Sequence, residues 1–190
     1  MITIKEIENL PSNEGILRIN KSCFDAFASV YECAVPVIVA VNDFCLGSGV
    51  GLAGAADIVI AAEGAQFGLP EVDNGALGAL THLTRLVPQQ RARQMLYTCE
   101  TAGAEELKGY GSVYEVVSPE RLLTFAREIA MKIVSKPSKT IRAAKESANG
   151  IELVNIRNSY RFEQGFTYEL NLAGEGEKAR QAFIDGKRIT

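Results

Sequence analysis

Two clusters of residues in this 190-residue chain are spaced for chemistry. The first is Gly47-Ser48-Gly49-Val50-Gly51, which follows an unbroken apolar run at 35–41. The second is the acid-bearing turn Pro70-Glu71-Val72-Asp73-Asn74-Gly75. A strand that runs into a glycine-rich turn and a helix start aims free backbone N–H groups at a negatively charged oxygen. A carboxylate on a loop a short way downstream can move a proton. An anion trap beside a positioned acid points to chemistry on an acyl group.

Each residue also has a plainer reading. Glu71 is either a general acid/base, whose semi-apolar pocket would raise its pKa, or a cap on the following turn. Asp73 is either a second carboxylate sharing acid and base duties or a solvated residue of a tight Asp-Asn-Gly turn. Gly49 and Gly51 allow close approach of a ligand, or serve only helix-to-sheet packing.

Other chemistries are poorly supported. The four cysteines, Cys23, Cys33, Cys45 and Cys99, form no CxxC pair, and His82 is the single histidine. A zinc site lacks ligands at suitable spacing, so no metal is expected. The cysteines read as small buried hydrophobes in a reducing compartment. A Ser-His-Asp triad would need His82 as base, and no GxSxG elbow is present.

The elements that must position these residues follow from periodicity. Ile16, Ile19, Cys23, Phe27, Val30 and Tyr31 recur at helical spacing within 16–34, and Pro36 stops that helix. The run at 35–41 reads as a strand buried on both faces. A strand near 58–61 and an extended piece at 66–69 lead into the acid turn. Helices are expected at 76–87, at 89–98 after Pro88, and in a short segment capped by Thr101. A strand at 113–117 precedes four helices, at 119–135, 137–150, 155–172 and 177–185, with Gly174 and Gly176 breaking the last two apart. The fold class is α/β, mixed first and then almost all helical, without an internal repeat. A division into 1–118, a core with the site loops, and 119–190, a helical region, follows.

Composition sets the class. The chain is 47% hydrophobic and 23% charged with net charge -3, as in an ordinary globular protein with no basic signal for nucleic acid. No run approaches the roughly 18 apolar residues of a membrane span. The first 15 residues lack a signal-peptide core, so a cytoplasmic location is expected.

The stretches PVIVAVNDFCLGSGVGLAGAADIVIAA, AQFGLPEVDNGALG, LTRLVPQQRARQMLYT, GSVYEVVSPERL and PSKTIRAAKES resemble the crotonase (enoyl-CoA hydratase/isomerase) superfamily, in family order along nearly the whole chain. The resemblance implies a ββα spiral core with a helical trimerisation region. It implies an acyl-CoA thioester as substrate, with coenzyme A entering as part of it and no separate cofactor, and a homotrimer or hexamer. The family stabilises a thioester enolate or oxyanion through two backbone N–H groups.

Carried over residue by residue, one oxyanion donor falls on Ser48, beside Gly49, where the family usually has glycine. The other falls on Ile2, just before the Ile4-Lys5-Glu6 run. Hydratases carry a catalytic glutamate at the position of Gly51, which cannot transfer a proton, whereas their second glutamate matches Glu71. The resemblance also implies that the chain is an N-terminally shortened member, lacking the first strands of the spiral. His82, Phe162 and Phe166, with Tyr160 and Tyr168, are candidates to wall the acyl pocket or are simple packing residues. Arg157, Arg161, Lys187 and Arg188 are candidates for CoA phosphates or are solvated.

Gly51, the LPEV-x-x-GALG turn, VYECAVPVI and SYRFEQGFTYELNLAG are similar to one branch, the ring-opening CoA-thioester hydrolases of bacterial steroid C/D-ring degradation. The implied reaction is hydrolytic C–C cleavage of a cyclic β-keto CoA thioester. The alternatives are a hydratase/isomerase working with Glu71 alone, or a catalytically impaired fragment.

Overall fold

The computed structural model describes residues 12–185. Element labels run in chain order among these. Helix α1 (Ser12–Tyr31) ends short of Pro36, and strands β1 (Ile38–Val41) and β2 (Phe44–Leu46) follow. Helix α2 (Ser48–Ala55) leads to β3 (Ile58–Ala62) and β4 (Gln66–Gly68). A 3-10 turn (Val72–Asn74) and α3 (Leu80–Leu83) precede α4 (Gln89–Thr98), β5 (Ala102–Gly103), α5 (Ala104–Tyr110) and β6 (Val113–Val117). Then come α6 (Leu122–Val134), α7 (Ser138–Gly150), α8 (Ile156–Leu172) and α9 (Glu175–Ile184). No helix among the described residues is long and apolar enough to cross a membrane.

The strands climb as a staircase. β1 and β3 pair in parallel, Ile38 opposite Ile58, and β6 joins the other side of β3. β2 and β4 pair in parallel in a second sheet, Phe44 opposite Gln66, and β5 closes on β4 antiparallel. Each unit therefore sends one strand to each sheet, and α2 makes the crossover that parallel pairing requires. The sequence shows no repeat because the units share backbone pairing and not side chains.

Most of the core lies between the sheets and the helices that follow them, with Val50, Ala53, Ala61, Phe67, Leu69, Leu83, Met95 and Leu107 fully buried. A second layer packs α6 on the outer face of β3 through Ile60, Leu122 and Ile129. Two polar links tie later segments to the end of α2 and the turn before β3. Lys145 on α7 pairs with Asp57 at 2.7 Å, and the other oxygen of Asp57 accepts from the Val37 N–H at 2.8 Å. Arg85 donates to the Gly54 carbonyl and to Glu152 at 2.7 Å.

Several sequence expectations need correction. β1 is an edge strand of the described sheet and half-buried, with Val35 exposed; the strand closed in on both sides is β3. β2 is too short for its period to register. The helix expected at 76–87 shrinks to α3, because the chain from Gly75 to Ala79 is taken up by the acid turn and by backbone packing. Thr101 caps nothing: its hydroxyl bonds Gln66 Oε1 at 3.0 Å, and Gly103 precedes α5. Gly174, at φ 82°, separates α8 from α9, but Gly176 lies inside α9.

Candidate active site

The acid turn is built to hold Glu71 still. Asn74 N–H and Ala76 N–H both donate to the Glu71 carbonyl, at 2.9 and 3.0 Å. Asn74 Nδ2 reaches back to the Pro70 carbonyl at 2.9 Å, and Gly75 closes the turn at φ 65°. The Glu71 side chain leaves this turn inward. Its carboxyl lies between two glycine backbones: a Cβ at Gly47 would overlap Oε1, and one at Gly78 would overlap Oε2. Oε2 is buried and has no hydrogen-bond partner. Burial pushes the carboxyl up to about 7, against a smaller lowering by a backbone N–H.

Gly47 also starts α2. Its φ of 54° suits glycine, and no side chain caps this helix end. The first intrahelical bond runs from Gly51 N–H to the Gly47 carbonyl at 3.1 Å. The N–H groups of Ser48, Gly49 and Val50 thus have no acceptor within the helix, and the Glu71 carboxyl sits at that same end. Ser48 is exposed, with its hydroxyl 3.9 Å from the Cys23 thiol. A trap for negative oxygen and a carboxyl able to hold or release a proton near neutral pH therefore share one place.

One turn further along α2, Gly51 faces a side chain that sequence reading did not single out for the site. A Cβ there would overlap the Phe27 ring. Phe27 belongs to a three-ring cluster with His82 and Tyr160, whose centroids lie 5.0 to 5.1 Å apart. His82 is 1% exposed, and neither ring nitrogen has a partner. Burial, with the Arg85 charge nearby, lowers its pKa to about 4, so its imidazole is neutral. Gly54 packs directly on the His82 carbonyl, which locks α2 against α3.

The remaining candidates are spread more widely. Asp73 is exposed and hydrogen-bonds the Cys99 thiol. Phe162 and Phe166 form an edge-to-face pair 5.1 Å apart on the outer side of α8. Phe166 lines a groove with Leu77, Glu169, Leu170 and Ala173 that does not include Glu71. Arg157 pairs with Glu32 at 2.6 Å, and Arg161 donates to Gln164 at 3.2 Å. Ile2, Lys187 and Arg188 lie outside the described residues.

Sequence reasoning missed Glu163, a second buried acid near Glu71, and the wall formed by Gly78. The signal for Glu163 was its place on one helical stripe with Ile156, Tyr160 and Thr167, the face that packs inward.

The family model described as enoyl-CoA hydratase/isomerase matches residues 3–188. The chain is 52% identical over 184 residues to a (7aS)-7a-methyl-1,5-dioxo-2,3,5,6,7,7a-hexahydro-1H-indene-carboxyl-CoA hydrolase of Rhodococcus jostii, covering 97% of this chain and 71% of that protein. It is 50% identical over 183 residues to the hydrolase of the same description from Mycobacterium tuberculosis, covering 96% and 74%. Among solved structures, it superposes on an enoyl-CoA hydratase from Bacillus anthracis with a TM-score of 0.73 at 31% identity, covering 98% of this chain and 73% of that one.

Proposed function

Since this chain belongs to the enoyl-CoA hydratase/isomerase (crotonase) family, we propose that it is a CoA-thioester hydrolase that opens a carbon ring by adding water. The substrate is a cyclic diketone CoA thioester of the hexahydroindene type that its relatives are named for. The observation that carries this reading is the Glu71 carboxyl, buried and pushed up to about 7, at the uncapped start of α2. Gly51 supports it from the negative side. A two-glutamate hydratase needs a second carboxylate at that position, and here the Phe27 ring fills the space.

In the proposed reaction, ionised Glu71 takes a proton from water as the water oxygen bonds to a ring ketone carbon. The ketone oxygen becomes negative and is held by the N–H of Ser48, beside Gly49 at the start of α2, with the N–H of Ile2 as the second donor. The tetrahedral carbon then collapses. The adjacent ring C–C bond breaks, its electron pair passes to the departing carbon as an enolate or carbanion, and Glu71 returns the proton there. One water is added and a carboxylate appears. Coenzyme A enters only as part of the substrate.

His82 backs the acyl side with its neutral ring, the Phe27 ring over Gly51 walls it, and the groove lined by Phe166, next to Phe162, lies apart from Glu71. Asp73 is a second carboxylate, available at the turn's surface. The chain assembles as a homotrimer or hexamer, a reading supported by exposed Leu123, Met131, Val134 and Phe162 on α6 and α8. The test is Glu71→Gln with the hexahydroindene CoA thioester. Turnover falls by about 10²–10⁴-fold with ligand affinity nearly unchanged. A loss under about tenfold assigns the proton transfer to another group.

A further inference from the structure

Helix α8 brings Glu163 to the segment whose other end walls Glu71. One carboxylate oxygen, Oε1, accepts from the Thr81 backbone N–H at 2.5 Å and from the Thr81 hydroxyl at 2.8 Å. The other, Oε2, is buried without a partner, like Oε2 of Glu71. Thr81 is itself buried and stands three residues after Gly78, whose backbone presses on the Glu71 carboxyl. The segment from Gly78 to Thr81 therefore has one acid against each end.

We infer that Glu163 is a positioning residue for Glu71: by holding Thr81 it keeps the Gly78 backbone against the Glu71 carboxyl. The inference rests on the reading of Glu71 as the acid/base group. Burial pushes Glu163 up to about 7, the Thr81 and Leu80 N–H groups draw it back, and the Glu71 charge adds to the rise. The same charges reach Tyr160, which burial keeps neutral, and the Glu71 charge reaches the Cys23 thiol on α1. On α3 the neighbour is the neutral His82, with the Arg85 cation beyond it. Among the described residues, neither acid has an ion-pair partner within 4.0 Å. The Glu71 charge is the smallest of the causes acting on Glu163, and what joins the two acids is the segment from Gly78 to Thr81.

The test uses the full chain and two variants. Glu163→Gln keeps an acceptor for both Thr81 donors and removes only the charge. Turnover of the hexahydroindene CoA thioester, and the Glu71 carboxyl followed by carbon-13 NMR titration with labelled glutamate, should then stay close to the wild type. Glu163→Ala also removes the acceptor. Its kcat should fall at least about tenfold with KM within about threefold, while Glu163→Gln keeps most of the turnover. In Glu163→Ala the Glu71 titration should move down by about half a pH unit or more, as the Gly78 wall loosens and water reaches the carboxyl. Wild-type kcat in Glu163→Ala, or an equal loss in Glu163→Gln, overturns the positioning. If the thioester is not hydrolysed at all, the proposed function fails, and a Glu71 titration unmoved in Glu163→Ala still overturns the positioning. If Glu163→Ala does not fold, Thr81→Val, which removes the hydroxyl donor alone, should lower kcat several-fold, and wild-type kcat in it overturns the positioning.

Discussion

Replacing Glu71 by Gln should change how the stability of the fold depends on pH, before any substrate is present. The carboxyl has its ordinary value of 4.5 in the unfolded chain and about 7 in the folded one, because burial penalises the anion. The folded state thus binds this proton more tightly than the unfolded chain does. The stability that Glu71 contributes is fully present below 4.5 and is lost as pH rises through 7. The whole shift corresponds to about 3 kcal/mol, of which about 2–3 kcal/mol falls between about pH 5 and about pH 8. Gln does not titrate, so its own burial cost is the same at every pH and cancels from the difference between the two proteins. His82 works in the opposite direction, since its folded value of about 4 makes stability fall as pH drops below 6.5. That contribution is common to both proteins and also cancels. Urea unfolding followed by far-ultraviolet circular dichroism, at several pH values, gives the comparison. Relative to Glu71→Gln, the wild type should lose about 2–3 kcal/mol between about pH 5 and about pH 8. A difference flat within about 0.5 kcal/mol would mean that the carboxyl ionises freely in the folded state, and the pocket described here would not exist.

Three further outcomes follow from particular contacts. Gly51→Glu, which restores a hydratase-like acid, should destabilise the chain by about 1–3 kcal/mol through overlap with Phe27, and adding Phe27→Ala should recover part of that loss; simple addition of two losses in urea unfolding would contradict the packing. Lys145→Met leaves the Asp57 carboxylate beside Val37 without its cation and should cost about 1–2 kcal/mol, since Asp57 is exposed and water can take the cation's place, with a loss below about 0.3 kcal/mol refuting the link. Light scattering at micromolar concentration should report a trimer or hexamer, and a folded monomer alone would rule out the proposed assembly.

Legibility in the sequence followed how local each feature is. Helix α4 and strand β6 were readable to the residue, because Pro88 fixes one start and Gly111 and Pro119 bracket the other. The segment at 76–79 was not: its alanines and leucine favour a helix, but Gly78 is packed directly against the Glu71 carboxyl. Phe44–Leu46 is too short to show a period, and its first side chain faces solvent. At the site, the Glu71 turn and the glycines of α2 were legible as types in a pattern. What gives them meaning was not. Phe27 reaches Gly51 from 24 positions earlier, and Glu163 reaches Thr81 across 82 positions. A single sequence carries no record of such contacts beyond the odd acid on an inward helical stripe.

Ring opening by water under the control of Glu71 is tested by incubating the chain with the hexahydroindene CoA thioester in oxygen-18 water, followed by mass spectrometry. The product should be heavier by one water, with one oxygen-18 in a newly formed carboxylate and coenzyme A still attached, and should form about 10²–10⁴-fold more slowly in Glu71→Gln. A labelled hydroxyl on an intact ring, an isomer of unchanged mass, or release of free coenzyme A would each contradict ring opening by water.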